Sequence, residues 1–113
     1  MKPLEKPSKS LASKILTELD FDNRITGYRL HRRMGHEMVD LYSFEEVIMF
    51  LFHDLSQVKI EKLGKWVENA FGDTELSERI LRLDNEEPNY MEKLIKAKNL
   101  MWSRLGQCKR EIM

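Results

Sequence analysis

The chain has a single cysteine, Cys108, so no internal disulfide can form. A reducing compartment is the natural setting for such a sequence. Only 5 glycines and 3 prolines interrupt its 113 residues. So few breakers exclude collagenous and low-complexity classes and favour helix. The longest apolar run, Val47 to Phe52, spans six residues, far short of the ~20 that cross a bilayer as a helix. The opening stretch MKPLEKPSKS is polar and has no apolar signal core. The expectation is a cytoplasmic protein with no membrane partner. There is also no glycine-rich phosphate loop, nucleophile elbow or paired-histidine helix motif, so we expect neither an enzyme nor a cofactor.

What the chain does have is charge. Charged residues make up 34% of it, with 19 basic and 19 acidic side chains. Their distribution is uneven. Residues 1–33 carry eight basic and four acidic side chains, residues 34–92 five and fourteen, and residues 93–113 six and one. Two basic ends flank an acidic middle, a layout suited to folding back on itself or pairing with a second copy. It lacks the dominant basic face of a general nucleic-acid binder.

One domain suits this length. Residues 1–8, with Pro3 and Pro7 and no periodicity, read as a flexible tail. Residues 9–113 read as a single helical domain. Ser8 or Ser10 caps a first helix, Lys9 to about Asp20, with Leu11, Ile15, Leu16 and Leu19 on one face. Residues 24–41 are less regular. A short hairpin turning at Arg33 to Gly35, a loop and a poorly periodic helix all fit them. Ser43-Phe44-Glu45-Glu46 is a capping box, opening a helix to about Leu55 whose broad apolar stripe includes Phe44, Val47, Ile48, Leu51 and Phe52. Ser56-Gln57 reads as a break. A third helix runs from about Lys59 to Phe71; Gly64 inside it costs roughly 0.8–1 kcal/mol relative to alanine, which calls for close packing by a neighbour. Gly72 sits where a left-handed C′ residue belongs and Asp73 where an N-cap belongs, with Glu75 in the following first turn. Leu76, Ile80 and Leu83 then face inward. Asn89 caps a last helix from Tyr90 to about Arg110.

The expected fold is therefore all-α, with four to five helices and room for one short hairpin within residues 24–41. Candidate functional residues are few. In the last helix Tyr90, Leu94, Ala97, Met101, Leu105, Cys108 and Ile112 recur at spacings of 4, 3, 4, 4, 3 and 4. Met91, Ile95 and Trp102 form an adjacent line. A helix apolar over two lines is clasped between neighbours. Part of it is long enough to meet another protein or a second copy, and Tyr90, Leu94, Met101, Trp102 and Leu105 are the candidate contacts. The alternative is a nucleic-acid or phosphate contact through Arg24, Arg29, Arg32 and Arg33, a segment without acids. His31, His36, His53 and Cys108 match no zinc spacing, so no metal is expected; His53 more naturally ends a helix. Asp73 and Glu75 are too few oxygen ligands for a hard cation. Cys108, on the apolar seam, reads as a packed thiol.

Tyr28-Arg29-Leu30 leading to Gly35, Ser43 to Val47, Trp66-Val67, and Phe71 to Leu76 together resemble a small family known only as a domain of unknown function. The resemblance covers about Tyr28 to Leu83. It implies a helix corner at Gly72-Asp73 and no known activity. The leading functional expectation is thus a non-catalytic interaction or self-association module built on the last helix.

Overall fold

The computed structural model describes residues 2–31, 35–53 and 56–112, with the side chain of His31 left aside. Among these residues there are five α-helices and one small antiparallel sheet. In chain order they are α1 (Lys9–Ile15), a 3-10 turn (Phe21–Asn23), β1 (Ile25–His31), β2 (Gly35–Leu41), α2 (Phe44–Phe52), β3 (Ser56–Gln57), α3 (Ile60–Trp66), a π-helical turn (Val67–Phe71), α4 (Thr74–Glu86) and α5 (Tyr90–Ile112). The expectation of a mainly helical domain with room for one hairpin is met in outline; the sheet has three strands, in the order β2-β1-β3, where only a hairpin was expected.

Local capping starts most of these helices. Ser8 Oγ accepts from the Leu11 amide at 3.1 Å, and Ser43 Oγ from the Glu46 amide at 3.0 Å. Glu46 reaches back to the amide of Tyr42, the residue before the cap, at 3.0 Å. Asp73 caps α4 and Asn89 caps α5 in the same way. The first helix is shorter than its pattern suggests. It ends at Ile15 rather than Asp20, because the amide of Leu19 bonds to Tyr42 O at 2.6 Å and draws the chain towards the end of β2.

The hairpin option for residues 24–41 is the one adopted. Ile25 pairs with Leu41, and the ladder runs to His31 opposite Gly35. The turn expected at Arg33 to Gly35 lies largely outside the described residues; Gly35 itself has φ +75°. Residues paired across a ladder share a face. Ile25 and Leu41 are buried towards α2, and Thr26 Oγ1 donates to Asp40 Oδ1 at 2.8 Å on the opposite face. Ser56-Gln57, expected to be only a break, adds a short third strand against Tyr28 and Arg29.

Helix α2 is central, with Phe44, Val47 and Ile48 fully buried. Phe50 joins them in the core, whereas Phe52, read as part of the inward stripe, is exposed. The sheet covers the Phe50 side of α2 and so decides between them. Phe71 packs edge-on against both Phe44 and Trp66, at centroid distances of 5.7 and 5.0 Å. The Trp66 indole donates to Asn23 O at 2.8 Å, tying the 3-10 turn to α3. Gly64 is the close approach its helix requires. A Cβ there would lie 2.8 Å from Leu81, and Ser77 Oγ donates to Gly64 O at 2.7 Å.

Residues 1–8, expected to be a flexible tail, are described from Lys2 onward. Residues 2–8 form no helix or strand, yet Leu4 and Pro7 are buried. The segment lies as a strap across α4 and α5. Arg79 donates to Lys2 O and Pro3 O, Gln107 to Leu4 O at 2.9 Å, and Arg104 to Glu5 O at 2.7 Å. The Glu5 amide donates to Glu75.

Candidate functional site

Helix α5 carries the residues singled out as a contact surface. Asn89 Oδ1 accepts from the Glu92 amide, Glu92 lies in the first turn, and Lys109 and Arg110 lie in the last. Both charge placements favour the helix dipole. One line of α5 faces inward: Leu94, Ala97, Met101, Leu105 and Cys108 are all buried within this chain. Leu94, Met101 and Leu105, expected at an interface, are thus core residues here. They sit on the stripe that α1, α2 and α4 clasp. Tyr90 is half-exposed but anchored. Its hydroxyl donates to Val58 O at 2.8 Å and accepts from the Val58 amide at 3.2 Å. Burial raises its phenol pKa, partly offset by the bond with Val58.

The adjacent line reaches solvent. Met91, Ile95 and Trp102 are exposed by 59%, 42% and 52%. Phe52 of α2 packs edge-on against Trp102 with ring centroids 5.7 Å apart. Lys98 Nζ stands 4.5 Å from the Phe52 ring centroid. Met49, about one turn earlier on α2, is exposed as well. Lys109 Nζ meets Glu45 Oε1 at 3.2 Å, which pins the start of α2 beside the end of α5. These contacts align α2 antiparallel to α5 and place Met49, Phe52, Met91, Ile95 and Trp102 along the same side of the pair. Of the five expected contacts, Trp102 lies on this surface, and Tyr90 is partly exposed beside Val58. Met91 and Ile95 were legible as the second α5 line; Met49 and Phe52 were not, because they belong to another helix.

The arginine segment behaves differently. Arg24 lies 3.7 Å from the Phe21 ring centroid, donates to Phe21 O at 2.8 Å and stands 3.4 Å from Asp40. Arg29 lies 5.5 Å from the Phe50 ring centroid. Both are engaged by their own chain. Arg32 and Arg33 lie outside the described residues. His36 is exposed on β2, and His53 caps the end of α2 through its amide. No group of three or more His, Cys, Asp or Glu side chains among the described residues is arranged to hold a metal ion. No helix among them is long and apolar enough to cross a membrane.

The Gly72-Asp73 corner is built as its residues imply, with Gly72 at φ +72° and the Asp73 carboxylate accepting from the Leu76 amide. It also has a role that local reading missed. Arg104 of α5 is buried and binds Asp73 through Nε and Glu75 through Nη2, each at 2.8 Å. The cation beside this acidic pair is therefore a guanidinium from the chain itself. Cys108, one helical turn beyond Arg104, has its thiol pushed up to about 11 by burial, with Arg104 opposing and Asp73 adding to the rise. A thiol in that state is a poor nucleophile.

No protein-family model matches the chain, and comparison with curated proteins and with solved structures finds no match.

Proposed function

We propose that this chain is a non-catalytic, cytoplasmic protein–protein interaction module that self-associates through the face shared by α2 and α5. The observation that supports this reading is the run of exposed apolar side chains Met49, Phe52, Met91, Ile95 and Trp102. Large apolar side chains in one patch, rimmed by charges such as Lys98 and the Glu45–Lys109 pair, mark interaction sites. At about half exposure, five side chains of roughly 200 Å² offer on the order of 500 Å², a large share of the ~800 Å² each partner buries in a standard interface. A second copy suits the face, because a two-fold interface sets the same patch against itself. Phe52 and Trp102 are the central aromatic anchors of such a contact.

Size-exclusion chromatography with light scattering tests this. The unaltered chain is expected to run as a dimer, and Trp102→Asp as a monomer with an unchanged circular-dichroism spectrum. Met101→Asp, which places a charge in the core, is expected to unfold the chain. A monomer at every concentration would overturn self-association. Reading the same peak at protein and nucleic-acid wavelengths tests the alternative through Arg24, Arg29, Arg32 and Arg33.

A further inference from the structure

We infer that the cleft between α4 and α5 holding residues 2–7 is a peptide-binding groove. Its strap is a resident ligand that an extended Leu-x-x-Pro segment of a partner protein displaces. The inference does not rest on self-association through the α2–α5 face, although Trp102 borders both.

Three features carry it. First, the polar grip on the strap is on its main chain. Arg79 takes the carbonyls of Lys2 and Pro3, Gln107 that of Leu4 and Arg104 that of Glu5, while Glu75 takes the Glu5 amide. Any extended segment offers those atoms, so this part of the recognition does not depend on sequence. Second, only Leu4 and Pro7 of the strap are buried, and these two positions carry the apolar selectivity. Between them, Lys6 meets Glu111 at 3.5 Å, which favours a basic residue just before the proline. Third, the strap borders an open depression. A cavity of about 500 Å3 opens beside Lys2, Pro3 and Leu4 against Leu100, Trp102 and Gln107. That depression gives room for a bulkier segment beside the strap.

The groove's own side chains are held ready. Arg104 is fixed by Asp73 and Glu75, and Arg79 stands 3.5 Å from Glu75. Donors already oriented lose little freedom when a new segment arrives.

The test uses the full chain with Leu4→Asp, which weakens the resident strap, and a fluorescein-labelled peptide of residues 1–8. Fluorescence anisotropy is expected to show the peptide binding Leu4→Asp at least tenfold more tightly than it binds the unaltered chain. The same peptide carrying Leu4→Asp should bind at least tenfold more weakly. Absence of binding to a folded Leu4→Asp chain, or indifference to the peptide's Leu4, would overturn the inference. If Leu4→Asp does not fold, hydrogen exchange on the unaltered chain decides. The Glu5 amide is expected to exchange at least a hundredfold faster than the amides of α4, since the strap opens alone. Exchange of Glu5 only with global unfolding would overturn it. A dimer of the unaltered chain that Leu4→Asp dissolves would also overturn it, because the groove would then serve a second copy's strap.

Discussion

The guanidinium of Arg104 and the carboxylate of Asp73 meet through two hydrogen bonds, of 2.8 and 3.2 Å, with both side chains almost wholly excluded from solvent. Asp73 also caps α4, and Arg104 also holds Glu75, Glu5 O and Gln107. One ion pair thus joins the start of α4, the middle of α5 and the strap.

Removing one partner of a buried pair costs more than the pair contributes, and without Asp73 the buried Arg104 keeps only the partly exposed Glu75 as a carboxylate partner. Asp73→Ala also deletes a helix cap. It is expected to lower unfolding stability by about 3–5 kcal/mol, read from urea denaturation. A loss below about 1 kcal/mol, the range of a surface pair, would show that Arg104 finds other compensation.

Glu75 governs a pH dependence. Burial pushes its pKa up, but the Glu5 amide and the guanidinium groups of Arg104 and Arg79 outweigh it and hold the carboxyl below its ordinary range. A carboxyl lowered in the native state contributes stability above its unfolded value, about 4.3. That contribution is lost as pH falls through the native value. Urea midpoints of the unaltered chain should therefore fall as pH drops below about 4.3, and those of Glu75→Gln should fall less. Parallel curves for the two chains would sink this assignment.

Gly27 lets the sheet lie on α2. A Cβ there would stand 2.5 and 2.8 Å from Phe50 ring carbons and 3.2 Å from Gln57 O. Phe50 is itself buried and cannot swing aside freely. Gly27→Ala is expected to cost about 1–3 kcal/mol through overpacking, lowering the thermal midpoint by roughly 4–8 °C per kcal/mol. An unchanged midpoint would mean that sheet and helix can separate without loss.

Much of the helical framework was legible before the tertiary structure. Ser8, Ser43, Asp73 and Asn89 all cap where their spacing placed them, and Gly72 takes the left-handed conformation its position required. A cap joins atoms two or three residues apart, so the sequence alone determines it. The apolar periodicity of α5 likewise showed two adjacent lines. Which line is covered was settled only when α1, α2 and α4 took their places. Leu94, Met101 and Leu105 then became core, while Met91, Ile95 and Trp102 were left outside. The burial of Arg104 had no local signature, because its partner Asp73 lies 31 positions away and a lone arginine on a charged helix reads as solvated. The strap is the same case at longer range: Leu4 and Pro7 look like loose ends until Arg79, Arg104 and Gln107 converge on the carbonyls around them. Local hydrogen-bonding geometry is set by residue spacing, but burial is set by what arrives from elsewhere in the chain.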